Sequence, residues 1–378
     1  MQKTKGLAVA QYSPRAMKRC ALLVIASALF GVLYGLVFAE GVIFGLINGV
    51  MNGIAIGLLD TVWVRKKWGR RLRQLPLLVY TLVLSLVWTL VIVINMTLTR
   101  HWTGLDHDWG LQWMQSSGFL GHFLFCLFLA FTFNLLIRVS DFLGSHSLLE
   151  ILLGVYQEPV EQHLAFLFLD VVGSTRLIEQ VGDVAAQKMI GKLFFEIAGI
   201  VDRFEGEVHR YIGDGMVVSW DLNRVTTPPD ILACLAEIYR VVDSRRHHSE
   251  STGTLFVDIR AGLNDGPVLI CEFGDQKREL VYFGDAINVA AALEAHCKHA
   301  GVRAAISSQL YNQLPPSDSF QTVGLGAVTM KGKLQSVECL ALNLLELKAA
   351  PNEAKAAPEP GNGYGRLLKL MSKVGGSQ

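Results

Sequence analysis

Leu164-Ala165-Phe166-Leu167-Phe168-Leu169-Asp170-Val171-Val172-Gly173-Ser174-Thr175 is the segment from which the architecture can be read. The apolar run from Leu164 to Val172 predicts a buried strand, too short for a helix of ordinary length. Asp170 stands near its end, ahead of a small-residue turn that leads into a helix. A carboxylate at such a place is costly unless it meets a cation or a donor. Free backbone N–H groups at the turn can hold phosphate. A plainer reading stays open, in which Asp170 or Ser174 merely caps the helix.

Reading outward, Asp183 to Phe204 carries Ala186, Met189, Ile190, Leu193, Ile197 and Ile200 at helical spacing. Val208 to Ile212 and Met216 to Trp220 predict two strands joined by Gly213-Asp214-Gly215, a tight hairpin turn. A helix over about Ile231 to Ser244 follows, then strands near Leu255 to Ala261 and Val268 to Cys271, a helix from Asp285 to Lys298, and smaller strands to about Leu342. The order strand, helix, hairpin, helix, strand predicts an α+β sandwich of the ferredoxin-like kind. Asp214 lies at the hairpin tip. If its strand neighbours that of Asp170, both carboxylates reach one point and can hold two divalent ions. Taken alone, Asp214 is an ordinary turn aspartate.

The first 139 residues are of another kind. Half of the 378-residue chain is hydrophobic, and charge is scarce before Val139, so part of the chain is expected in lipid. Apolar stretches at Ala21 to Ala39, Val42 to Leu59, Leu75 to Leu98 and Phe119 to Ile137 are each close to the ~20 residues a crossing helix needs. Four transmembrane helices are predicted over 1–139. Lys3, Lys5, Arg15, Lys18 and Arg19 precede the first, and Arg65, Lys66, Lys67, Arg70, Arg71 and Arg73 separate the second from the third. The positive-inside rule puts both segments in the cytoplasm. The loop with Trp102, Trp109 and Trp113 then lies outside, and everything after Arg138 is cytoplasmic. Gly45, Gly49, Gly53 and Gly57 form one row on the second helix and permit close helix contact, within the chain or between two chains.

A linker helix is expected over 140–162, a globular domain over 163–345, and a disordered tail over 346–378, where Pro, Ala, Gly and charge predominate. Net charge is +1, which gives no sign of a nucleic-acid partner. Cys20, Cys126, Cys234, Cys271, Cys297 and Cys339 lack Cys-x-x-Cys spacing, so free thiols in a reducing compartment are expected.

The segments around Asp170 and Asp214, with Phe283-Gly284-Asp285-Ala286-Ile287-Asn288-Val289-Ala290-Ala291, resemble in order three motifs of the class III nucleotide cyclases. The likeness covers about Leu164 to Leu342, and several apolar spans ahead of one such domain are similar to membrane cyclases of bacteria. It implies an adenylate cyclase that makes 3′,5′-cyclic AMP and pyrophosphate from ATP, on two Mg²⁺ or Mn²⁺ ions held by Asp170, Asp214 and the Val171 carbonyl. Gly173, Ser174 and Thr175 would cradle phosphates, Asn288 orient the ribose, and Lys331 meet the terminal phosphates. The metal acids and the last two groups would come from opposite chains of a homodimer on the cell membrane.

Three positions depart from the family pattern. Arg210 stands for the adenine-contacting lysine and Val281 for its Asp or Thr partner, which leaves the base open between ATP and GTP. Ala292 stands where a transition-state arginine is usual, and losing one preorganised donor commonly costs roughly 10² to 10³ in rate. A catalytically weak or silent regulatory module is therefore the rival reading, and guanylate cyclase a further one. A diguanylate cyclase is disfavoured, because the hairpin reads Ile212-Gly213-Asp214-Gly215-Met216.

Overall fold

The computed structural model describes residues 14–38, 41–60, 72, 75–102, 114–115, 117–143, 150–151, 153–223, 230–275, 278–329 and 336–345, with backbone alone at 14–19 and 140–143. Lys331, Trp109 and Trp113, the basic residues from Arg65 to Arg73, Lys3 and Lys5, most of the linker's first half and the tail beyond Leu345 lie outside these residues. By backbone contacts the chain forms two compact units, 1–344 and 345–378; the account below concerns the first.

Four apolar helices come first: α1 (Pro14–Val37), α2 (Val42–Leu58), α3 (Leu77–Trp102) and α4 (Phe119–Leu143). Pro14 opens α1 and Pro76 directly precedes α3, positions where a missing N–H costs nothing. Segments of α1, α3 and α4 are long and apolar enough to cross a membrane, whereas α2 has 17 residues. Leu22, Leu29, Ile43, Leu78, Leu90 and Phe128 point away from the protein on these helices.

The glycine row of α2 packs within the chain. A Cβ on Gly45 would enter the carbonyl of Gly31, one on Gly49 would lie 2.8 Å from the Ala28 Cα, and one on Gly57 would lie 3.6 Å from the Cys20 Cβ. Backbone therefore meets backbone along the α1–α2 hairpin, which only the absence of side chains allows. Polar residues of α3 are absorbed locally: Thr81, Ser85 and Thr89 each donate to the carbonyl four residues earlier, at 2.6–2.8 Å.

The second part of this unit is built on an eight-stranded sheet. Its elements are β1 (Val160–Val171), α5 (Ser174–Val181), α6 (Asp183–Arg203), β2 (Glu207–Ile212), β3 (Gly215–Asp221), α7 (Ile231–Thr252), β4 (Ile259–Phe273), β5 (Glu279–Phe283), α8 (Ala286–Ala300), β6 (Ala304–Ser307), α9 (Ser308–Gln313), β7 (Phe320–Thr329) and β8 (Ser336–Leu344). The strand order is β2-β3-β1-β4-β6-β8-β7, with β5 paired to β4. All these pairs are antiparallel except β4 with β6.

Period-two alternation along β1 sorts the core. Ala165, Leu167, Leu169 and Val171 face one layer with Ile190, Leu193 and Ile197 of α6 and Leu235 and Ile238 of α7. Leu164, Phe166 and Phe168 face the other, with Val268, Ala286 and Ala290. Asp170 belongs to this second face, the one on which α8 lies.

Two expectations need correction. The strands expected at Leu255 to Ala261 and Val268 to Cys271 are one strand, β4, and residues 254–258 precede it. Gly266 and Pro267 read as a turn, yet they sit where β4 changes its second neighbour from β6 to β5, while β1 pairs with it throughout. The helix expected to end at Ser244 runs to Thr252, because its polar last turns still bury Ser249. The six cysteines are free, as expected. Burial pushes the Cys297 thiol up to about 12 and raises that of Cys234, so neither is a ready nucleophile.

Candidate active site

The β1–β3 register sets Asp170 opposite Gly215, so Asp214 stands one residue beyond, at the same end of the same two strands. Ile212 pairs with Gly215, which leaves Gly213-Asp214 as a two-residue turn, and Gly213 has φ 61°, a left-handed value that glycine adopts without penalty. A Cβ on Gly215 would lie 3.1 and 3.2 Å from the Leu169 and Ile212 carbonyl oxygens, a tight fit that the glycine relieves beside Asp170. Val171 continues β1, and its own N–H helps to hold the Asp170 carboxylate. Gly173, with φ 69°, turns the chain into α5, whose first residues are Ser174 and Thr175.

On the other side Asp170 pairs with Arg260 of β4. The Arg260 Nη2 lies 3.5 Å from the Asp170 Oδ2, and its Nε donates to the Glu294 Oε1 at 2.8 Å. Glu294 is 6 % exposed and belongs to α8. That helix can lie so close because Gly262 has no side chain: a Cβ there would enter the Ala290 carbonyl and the Glu294 backbone. Asn264 anchors the start of α8 by donating to the Ala286 carbonyl at 3.2 Å.

One cation thus serves two carboxylates, with Asp214 as a third negative group nearby. Burial first, then Glu294 and Asp214, raise the Asp170 carboxyl from 3.8 to about 6, against the opposing pull of Arg260 and of a backbone hydrogen bond. A half-buried carboxylate cluster short of positive charge fits a divalent cation. Among the described residues no group of three or more His, Cys, Asp or Glu side chains could hold a metal.

Arg210 lies on β2 and Val281 on β5, strands that do not pair with each other. A bulge between Val208 and Arg210 in β2 interrupts the pairing, and the His209 ring lies 4.0 Å from that of Tyr282 on β5. The Arg210 Nη2 lies 3.9 Å from the Glu279 Oε2, two residues before Val281. Asn288 stands exposed in the first turn of α8. Ala292 packs against the cluster of Val289, Leu293, Cys297, Ala305 and Cys339.

Arg260, Glu294 and Glu279 were missed in the sequence. Their signal was a charge inside an apolar strand, an acid on the apolar side of a helix, and an acid two residues from the base position.

The family described as Adenylate and Guanylate cyclase catalytic domain matches residues 155–343. Adenylate cyclase 2 of Rhizobium meliloti is 32% identical over 224 residues, which are 59% of this chain and 60% of that protein, so this chain spans less than two thirds of its relative. A receptor-type guanylate cyclase of Caenorhabditis elegans is 27% identical over 44% of this chain and 13% of its own length. Among solved structures, the adenylyl cyclase CyaB from P. aeruginosa aligns with a TM-score of 0.43 at 20% identity, covering 49% of this chain and 96% of that one. With half its length matched, a span that includes the strand of Asp170 and the helix of Glu294, this chain belongs to the adenylate and guanylate cyclase catalytic-domain family.

Proposed function

We propose that the chain is a membrane-anchored adenylate cyclase, converting ATP to 3′,5′-cyclic AMP and pyrophosphate at sites shared by two copies. The observation that carries this is the meeting of Asp170 and Asp214 at one end of β1 and β3, beside a cation already shared with Glu294. Asp170, Asp214 and the Val171 carbonyl would hold two Mg²⁺ or Mn²⁺ ions. When bound, these lower the pKa of the ribose 3′-hydroxyl and neutralise the triphosphate.

The chain's own groups do the rest. The turn at Gly173, Ser174 and Thr175 presents backbone N–H groups to phosphate oxygens. Arg260 holds Asp170 in place on the second face of the sheet and keeps Glu294 compensated. Arg210 of β2, which reaches Glu279 of β5, and Val281 of β5 would form a surface for the base, and Asn288 reaches outward from α8 to the ribose of a nucleotide held by the other copy. Lys331 of that copy would meet the terminal phosphates. The ferredoxin-like reading rests on the antiparallel order β2-β3-β1-β4.

Four spans are proposed for α1–α4, with 1–139 as the anchor, 140–162 as linker and 163–345 as the cytoplasmic catalytic domain. Large apolar side chains turned outward on all four helices support a lipid surrounding. α2, at about 25 Å, is short for a ~30 Å core but is bound to α1 along its glycine row.

A second reading has one specific support: Ala292 packs apolar atoms where the family usually has an arginine, which fits a weak or silent module. Purified full-length protein with ATP or GTP and Mn²⁺, beside Ala292→Arg, separates the readings. Cyclic AMP from wild type supports the enzyme, cyclic GMP in excess reassigns the base, and no product from either protein leaves the silent module.

A further inference from the structure

A cavity of about 80 Å³ lies between the four apolar helices, walled mainly by Leu23, Ile56, Ile92, Met96, Leu129 and Ala130. Of the polar side chains that also line it, among them Ser27, Tyr34 and Asn52, two leave an atom unsatisfied: Asn48 of α2 and Trp88 of α3, only 4 % and 3 % exposed. The Asn48 Oδ1 and the Trp88 Nε1 have no hydrogen-bond partner. A buried donor or acceptor left unpaired in this way is destabilising. Elsewhere in the bundle Thr81, Ser85 and Thr89 close onto the backbone and Asn95 donates to the Asn52 Oδ1 at 2.7 Å.

The hydrogen-bond inventory identifies the missing group. Asn48 already donates its Nδ2 to the Phe44 carbonyl at 3.2 Å, which fixes the amide with its oxygen free to accept. Trp88 has only a donor to give. A ligand that satisfies both must accept from the indole N–H and donate to the amide oxygen through one small group. A hydroxyl does so; a ketone leaves Asn48 orphaned, and a carboxylate cannot donate and finds no charged residue on the lining.

We propose that α1–α4 bind a small lipophilic alcohol, its hydroxyl between Asn48 and Trp88 and its chain leading out between α1 and α4. This rests on the reading that these helices lie in a bilayer. The cavity is about half the ~150 Å³ that admits benzene, so it takes the hydroxyl and the first few carbons of a chain. Phe30 and Phe133 of the lining, partly exposed rings 4.9 Å apart and edge to face across α1 and α4, mark the side on which the chain would leave.

The test uses full-length protein in phosphatidylcholine nanodiscs and dodecan-1-ol carrying a diazirine near its hydroxyl, with labelled peptides mapped by mass. The expected result is saturable labelling of the peptides around Asn48 and Trp88, competed by dodecan-1-ol and not by dodecane. Trp88→Phe and Asn48→Leu should each weaken that competition about fivefold to tenfold, the worth of one hydrogen bond. Ala130→Phe, which fills the cavity, should abolish it. Labelling of outward Leu22, Ile43 and Leu90 is the control for a folded, lipid-embedded bundle in every variant. If that labelling persists while the cavity is unlabelled, or if cavity labelling is competed equally by dodecane, nothing in the cavity selects a hydroxyl and the proposal is wrong. If the outward residues are also unlabelled, the bilayer reading itself fails.

Discussion

Replacing Asp170 with asparagine should stabilise the metal-free protein, although it removes a residue assigned to the active site. The folded carboxyl is raised from 3.8 to about 6 by burial and by the acids Glu294 and Asp214, a net effect already including Arg260. Between about pH 4 and pH 6 the folded state therefore binds more protons than the unfolded chain, so stability falls as pH rises through this window and stays lower above it. About two pKa units correspond to about 3 kcal/mol. The side chain is 26 % exposed, and solvent screening reduces this to about 1 to 2 kcal/mol. Asparagine keeps the shape and carries no charge. Hydrogen exchange of β1 and β3 amides in full-length protein with chelator at about pH 8, corrected for intrinsic rates, should show protection about fivefold to thirtyfold higher in Asp170→Asn than in wild type. The advantage should vanish near pH 4. Mn²⁺ should reverse the order, since a ligand at 100 times its dissociation constant adds about 2.7 kcal/mol to wild type alone. Asp170→Asn less protected than wild type at pH 8, or equally stabilised by Mn²⁺, would refute this electrostatic account.

Arg260→Met leaves Asp170 and buried Glu294 without their cation and should cost about 3–5 kcal/mol of stability in chemical unfolding, with part recovered by adding Glu294→Gln. Gly57→Cys should form an oxidant-induced disulfide with Cys20 that runs as monomer on a non-reducing gel, because the two Cβ positions are 3.6 Å apart; adding Gly49→Leu, which forces α1 and α2 apart, should abolish it. Val281→Asp adds an acceptor two residues from Glu279, the partner of Arg210, and should raise cyclic AMP relative to cyclic GMP, from equal ATP and GTP, about tenfold; an unchanged ratio removes position 281 from base selection.

The core of the catalytic region was legible because its signals are local. An apolar run ending in Asp170, a Gly-Asp-Gly hairpin and helical spacing from Ala186 to Ile200 each specify an element without reference to distant chain. β4 was not, since Gly266 and Pro267 carry the marks of a turn and only the change of neighbouring strand explains them inside a ladder. At the site, Asp170 and Asp214 were found by their places at a strand end and a turn. Arg260 and Glu294 were not, because their pairing depends on α8 lying directly on Gly262, a long-range contact with no sequence period. The glycine row on α2 announced close packing, but only its partner Gly31 in α1 decides that the packing is within one chain.

The central claim is that Asp170 and Asp214 together make a cyclase, and cyclic AMP formation by purified full-length protein with ATP and Mn²⁺, beside Asp214→Ala, tests it most directly. The account predicts product from wild type and its loss, by at least about a hundredfold, in Asp214→Ala. Equal product from both proteins would contradict it.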